Sequence, residues 1–193
     1  MTFYAFAKSV VYTIFKPWYR IEAIGVENIP KEGGVLLCAN HIHNFDPIVV
    51  GIMVPRPVHY MAKDELFRIP VLGGIVRKCN AFPVKRGFSD REALRTGLKV
   101  LKDGHVFGLF PEGKRSKTGE LGKGLSGAGF FASRSEAHVV PCAIIGPYKS
   151  FKKLRVVYGK PIKMDEVRKT KASADQVTEL IMSEIDKLIK EHQ

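Results

Sequence analysis

Apolar residues recur at three- and four-residue steps through the first eighteen positions: Phe3, Phe6, Ala7, Val10, Val11, Ile14, Phe15 and Trp18. A helix repeats every 3.6 residues, so this spacing lines one face of a helix over residues 1–18. The other side carries Lys8, Ser9, Tyr12, Thr13 and Lys16. So aromatic a face has two uses open to it: docking on the chain's own core, or lying in an interface.

From Tyr19 the pattern changes to short apolar runs: Arg20 to Ile24, Val35 to Ala39, Val58 to Met61, Ala81 to Val84, Val106 to Phe110, Val139 to Ile145 and Leu154 to Tyr158. Runs of this length, several of them apolar throughout, predict strands buried on both faces. Between them lie helical patterns. The clearest starts at Ser89, which stands three residues before Glu92 in capping-box spacing, ahead of Leu94, Leu98 and Leu101, and Gly104 ends it. A last helix over 172–191 places Val177, Leu180, Ile181, Ile185, Leu188 and Ile189 on one side. Strands alternating with helices predict an α/β domain over 19–193, with a mixed, largely parallel sheet flanked by helices and with polar loops at the strand ends. Residues 1–18 stand apart as an amphipathic, membrane-associating helix.

Composition narrows the partners. The 193-residue chain has a net charge of +12, which favours phospholipid head groups, phosphorylated substrates, an acidic carrier protein or nucleic acid. The three cysteines, Cys38, Cys79 and Cys142, form no CxxC pair, which fits a reducing setting. The N-terminus lacks the basic start and cleavage site of a secretory signal, so the chain is expected not to be exported. Lys8, Lys16 and Arg20 interrupt its most apolar stretch before the ~18 to 20 residues that a membrane span needs.

Chemistry gathers where predicted strands end. Strand 35–39 runs into Asn40-His41-Ile42-His43-Asn44-Phe45-Asp46-Pro47. Asp46 can hold one imidazole nitrogen of His41 protonated, leaving the other to take a proton from a hydroxyl; in isolation, a histidine merely hydrogen-bonded in a loop fits as well. His43 has no further ligand at metal spacing, and no metal site is expected. Strand 81–84 ends in Lys85-Arg86-Gly87, two cations suited to a phosphate. Strand 106–110 ends in Pro111-Glu112-Gly113-Lys114-Arg115-Ser116. There Arg115 can clamp a phosphate, Glu112 can accept from a hydroxyl or orient the arginine, and amides near Gly113 can stabilise an oxyanion. Residues 117–129 carry five glycines without the order of a nucleotide loop. Pro141, inside the apolar run Val139-Val140-Pro141-Cys142-Ala143, predicts an edge strand or a bulge. Cys142 lacks the polar surround of a nucleophile.

These four clusters, in this order over about residues 35 to 146, resemble the glycerolipid acyltransferase family typified by 1-acylglycerol-3-phosphate O-acyltransferase, also called lysophosphatidic acid acyltransferase. Asn40, His41 and Asp46 match its Asn-His-x4-Asp block, and Phe110, Pro111, Glu112, Gly113, Arg115 and Ser116 match its Phe-Pro-Glu-Gly-x-Arg-Ser block. The chain departs at Lys114, often threonine there, and at Pro83-Val84-Lys85, often neutral or acidic. The resemblance implies an α/β fold with N-terminal helices at the membrane, His41 as general base with Asp46 as its partner, and phosphate binding by Lys85, Arg86, Glu112, Gly113 and Arg115. The fourth block would contribute to substrate binding. It implies acyl transfer from acyl-CoA or acyl carrier protein to the free hydroxyl of 1-acyl-glycerol-3-phosphate, giving phosphatidic acid in phospholipid biosynthesis. No cofactor beyond the thioester co-substrate is expected. The expected setting is the cytoplasmic face of the cell membrane, peripheral or monotopic, against an anionic surface. Alternatives are another lysophospholipid or glycerol-phosphate acceptor, or a non-catalytic basic module binding lipid or nucleic acid. No nucleic-acid motif appears.

Overall fold

The computed structural model describes residues 2–85 and 90–193. Seven strands form one sheet: β1 (Ile21–Ile24), β2 (Val35–Ala39), β3 (Val58–Lys63), β4 (Ala81–Val84), β5 (Val106–Leu109), β6 (His138–Ile145) and β7 (Leu154–Tyr158). Their spatial order is β1-β7-β6-β2-β5-β3-β4, and every pairing is parallel except β6 with β7. The helices are α1 (Phe3–Trp18), α2 (Asp46–Met53), α3 (Leu72–Lys78), α4 (Arg91–Lys102), α5 (Gly127–Arg134), α6 (Met164–Lys169) and α7 (Ala174–His192). The expected mixed, largely parallel α/β sheet is the one observed.

Two apolar layers sandwich the sheet. Val35, Leu37 and Ala39 of β2 face the layer holding Val49, Val50 and Ile52 of α2, while Leu36 and Cys38 face the layer of Val100, Leu101, Phe131, Val177 and Ile181. Every residue of β2 is buried, which is why its sequence reads as an unbroken apolar run rather than an alternation.

Three readings change. Of the two readings for Pro141, the edge strand fails, since β6 is paired on both sides, while the antiparallel register beside it slips by one residue between Cys142↔Tyr158 and Val139↔Ile162, as at a bulge. The Pro141 carbonyl accepts from Gly159 N at 2.8 Å, just past the end of β7. A strand residue's N–H and C=O leave on the same side, so the missing donor faces the terminus of β7 and costs the β2 ladder nothing. Ser89 and Arg86 lie outside the described residues, and the cap of α4 is Asp90, whose Oδ1 accepts from Ala93 N at 3.0 Å.

The third concerns α1. Its apolar residues divide between two faces: Val11, Tyr12 and Phe15 pack on the core, while Phe3, Phe6, Val10, Ile14 and Trp18 are exposed. Lys8 points inward, donating to the carbonyl of Val54, the residue that follows α2. Burial lowers its pKa, so it is not among the cations that face outward.

Gly97 shows packing overriding propensity. Alanine is better than glycine in a helix by about 1 kcal/mol, but a Cβ here would stand 2.6 Å from Phe131 Cε1 and 3.1 Å from Phe107 Cε1. Gly97→Ala is expected to destabilise the protein by roughly 1–2 kcal/mol net, the overpacking cost of ~1–3 kcal/mol exceeding the helix gain; a raised denaturation midpoint would contradict this packing.

Candidate active site

Parallel strands bring their carboxyl ends to one rim, and neighbouring strands deliver neighbouring loops. Cys38 of β2 stands beside Leu109 of β5 and Pro141 of β6, so the loops after β2 and β5 meet over the sheet. Asn40 fixes the first of them. Its side chain donates to Ile144 O at 3.0 Å and accepts from Ile144 N at 2.7 Å, extending the β2–β6 ladder by one side chain.

Asp46, fully buried, organises the rest of that loop. Its Oδ2 accepts from His41 Nδ1, Ile42 N and His43 N, each at 2.7 Å. Its Oδ1 accepts from the Tyr148 hydroxyl at 2.5 Å. A carboxylate that accepts a hydrogen bond from Nδ1–H fixes the tautomer of His41, with the lone pair on Nε2. The ring is 17% exposed and stacks on Phe110 at 4.3 Å between centroids. Phe110 in turn stacks on Tyr60 at 6.1 Å.

The backbone of His41 is held as firmly as its ring. Its N–H donates to Glu112 Oε1 at 2.8 Å and its carbonyl accepts from Ser116 N at 2.7 Å. Glu112 Oε2 accepts from Gly122 N at 2.9 Å. Glu112 therefore ties the β2 loop to the glycine-rich segment with both oxygens, and among the described residues it makes no hydrogen bond to Arg115. Gly113 likewise spends its N–H on Phe110 O at 3.0 Å and adopts φ 65°, so it is not a free oxyanion donor.

Arg115 reaches back across the rim, donating to Asn44 Oδ1 at 2.5 Å. It lines a cleft of ≈ 340 Å³ together with Lys114, Lys117 and Lys123. The acids there are Glu120 and the already engaged Glu112, so the cleft suits an anion. Lys85 is exposed at the end of β4, the sheet edge, with β3 and β5 between it and β2. Three strand spacings place it roughly 14 Å from the β2 loop, at the margin of any shared site.

The fourth sequence block supplies backbone rather than reactive side chains. Val139, Val140, Pro141, Cys142 and Ala143 are all buried. Burial first, and then the Asp46 charge, push the Cys142 thiol well up from its ordinary range; burial does the same to Cys38. Neither offers a thiolate. His43 accepts from Phe45 N and stacks on Tyr148, a loop-building role.

Sequence reasoning missed Tyr148. It lies just past β6, 102 residues from the aspartate it serves, and only its place after the fourth block hinted at it. Burial and then the Asp46 charge raise its pKa far above the usual tyrosine range, so it remains a hydroxyl donor wherever the protein is folded. Tyr148→Phe keeps the ring and removes that donor. A stability loss of roughly 1.5–3 kcal/mol is expected, the value of a hydrogen bond to a charged group, together with a fall in kcat at unchanged acceptor KM; unaltered kcat would show that Tyr148 does not position the dyad.

Comparison with known proteins identifies the family. The Acyltransferase family model matches residues 20–145, which span the sheet from β1 through β6. The 1-acyl-sn-glycerol-3-phosphate acyltransferase of Bacillus subtilis is 32% identical over 165 residues, covering 82% of each chain. The chloroplastic 1-acyl-sn-glycerol-3-phosphate acyltransferase LPAT1 of Arabidopsis thaliana is 30% identical over 135 residues, which are 69% of this chain and 38% of that one. The crystal structure of PlsC, the 1-acyl-sn-glycerophosphate acyltransferase of Thermotoga maritima, superposes with a TM-score of 0.73 at 23% identity, covering 100% of this chain and 84% of that chain, and so shares the fold. The matched residues include the loops that carry His41, Asp46 and Glu112, and the chain belongs to the acyltransferase family.

Proposed function

We propose that the chain transfers a fatty acyl group from a thioester to the free hydroxyl of 1-acyl-glycerol-3-phosphate, giving phosphatidic acid. The observation that carries this reading is the His41 ring, its Nδ1 committed to Asp46 and its Nε2 without a hydrogen-bond partner among the described residues, beside a cationic cleft. The named activity of the Bacillus subtilis relative supports the acceptor.

In this mechanism His41 Nε2 removes the acceptor hydroxyl proton as that oxygen attacks the thioester carbonyl. The tetrahedral intermediate collapses with cleavage of the C–S bond, and the imidazolium returns its proton to the departing thiolate. The products are an ester and a free thiol. No acyl-enzyme is needed, since the buried cysteines beneath the site are held as thiols. The thioester itself drives the reaction, so no cofactor enters it. Acyl-CoA and acyl carrier protein both present that thioester.

Acceptor phosphate binding is assigned to Arg115, with Lys85 as an outer cation and Gly113 shaping the turn; Arg86 is assigned to it from the sequence alone. In this reading residues 1–18 lie at an anionic membrane, on the cytoplasmic side as a peripheral or monotopic contact, with 19–193 as the acyltransferase domain; the exposed apolar residues of α1 support it. Among the described residues, no helix is long and apolar enough to cross a membrane.

Free-thiol release tests the reading: incubate the protein with acyl-CoA or acyl carrier protein, with and without 1-acyl-glycerol-3-phosphate. Release should require the acceptor and fall by about 10²- to 10⁴-fold in His41→Ala, and the donor that supports it names the co-substrate. Acceptor-independent release, or undiminished release in His41→Ala, would exclude the mechanism. Arg115→Ala should raise the acceptor KM while leaving the donor KM nearly unchanged; equal increases in both would remove Arg115 from the phosphate site.

A further inference from the structure

Singly scattered exposed hydrophobics are ordinary, but here they are concentrated. Among the described residues, 13 large hydrophobics are exposed, and 11 of them fall within three stretches, 1–21, 66–89 and 137–164. Lys16, Arg20, Arg77, Lys78, Lys149 and Lys152 lie exposed in the same three stretches and form no ion pair among the described residues, whereas Arg68, Lys153 and Arg155 are paired with Asp64 and Glu22. A solvated surface normally mixes both signs of charge. Exposed apolar side chains beside unpaired cations are complementary to hydrocarbon beneath anionic head groups.

These stretches also meet in space. Lys78, which ends α3, holds its ammonium 5.3 Å from the ring centroid of Phe3 at the start of α1. On α3, Leu72, Ile75 and Lys78 recur at three-residue steps, and Leu72 and Ile75 are exposed. At the other end of α1, Trp18 lies 5.6 Å from the Phe151 ring, and Phe151 N donates to Trp18 O at 2.7 Å. The exposed stripe of α1 thus continues onto α3 at one end and onto the loop between β6 and β7 at the other.

Both extensions are held outward by unfavourable backbone. Val71 has φ 65° and is 80% exposed, and Phe151 has φ 62° and is 65% exposed. The left-handed region disfavours every residue with a Cβ, and a β-branched one most of all. Water gives nothing back for presenting valine and phenylalanine in that conformation, whereas an apolar medium does.

We propose that the membrane contact has three parts, with Val71–Ile75 and Phe151 entering an anionic bilayer on either side of α1. This rests on the interfacial reading of α1 given above. One helix lying in the head-group layer leaves the protein free to roll about the helix axis. Anchors at both ends remove that freedom and set His41 at a fixed height above the lipid, through Tyr19 on Tyr148 at 5.5 Å and Phe15 on Phe45 at 5.2 Å.

Trp18 is the chain's single tryptophan, so each contact can be probed separately. Three proteins are compared: the natural chain, Trp18→Phe with Val71→Trp, and Trp18→Phe with Phe151→Trp. Each is mixed with vesicles of equal parts phosphatidylcholine and phosphatidylglycerol carrying brominated acyl chains. Blue-shifted, quenched emission is expected from all three. Quenching of Trp18 alone would overturn the proposal and leave the α1 contact standing. Quenching of none would overturn both. Emission from the Val71→Trp protein already blue-shifted without vesicles, in a concentration-dependent dimer, would overturn the proposal in favour of self-association. Should Val71→Trp fail to fold, Trp18→Phe with Ile75→Trp asks the same question. Val71→Asp with Ile75→Asp should weaken vesicle binding by about tenfold or more with thiol release in detergent solution retained, and unchanged vesicle binding would contradict the proposal.

Discussion

A carboxylate removed from water must find donors for its lone pairs or give up its charge, and the loop after β2 is built around that demand. Asp46 is fully buried and collects four donors: two loop amides, the His41 ring and the Tyr148 hydroxyl. Removing a carboxylate from water costs several kcal/mol, and hydrogen bonds to a charged group are worth ~1.5–3 kcal/mol each, so four are of the size needed. Three of the four donors come from residues 41–43, so satisfying the charge also dictates the loop's shape. The tautomer and direction of the His41 ring are consequences of solvating Asp46.

The sheet supplies what the loop cannot supply alone. Because β5 lies beside β2, Glu112 reaches the His41 amide, and the same carboxylate reaches Gly122. Because β6 lies on the other side, Asn40 can pair with Ile144 and Tyr148 can reach Asp46. The histidine is thereby held through its ring, its N–H and its carbonyl from three directions. That is the preorganisation a general base needs, since orientation fixed in advance is not lost at the barrier.

Legibility in the sequence followed the range of the interaction. The strands were readable because a sheet covered on both faces demands apolar runs, and 35–39, 81–84 and 154–158 match the observed bounds. His41 and Asp46 were readable because their contact spans five residues. Tyr148 was not, because nothing local marks a partner 102 residues away. Glu112 was placed in the right loop, but its two backbone partners were not readable, since a sequence cannot show that both its oxygens face backbone amides. Pro141 misled as a sign of an edge because only one side of a strand residue carries its ladder bonds, and which side is a matter of register. The helix over residues 3–18 was readable, but not its division into an inward and an outward apolar face, which depends on where Lys8 finds Val54.

The central claim is that Asp46 fixes His41 with its proton on Nδ1 and its lone pair on Nε2. The most direct measurement is side-chain ¹⁵N NMR of histidine-labelled protein, at a pH above the imidazole range, with the His41 signals assigned by comparison with His41→Gln. A protonated, pyrrole-type Nδ1 and an unprotonated, pyridine-type Nε2 are predicted for His41. A protonated Nε2 with a bare Nδ1, or rapid averaging of the two tautomers, would contradict it.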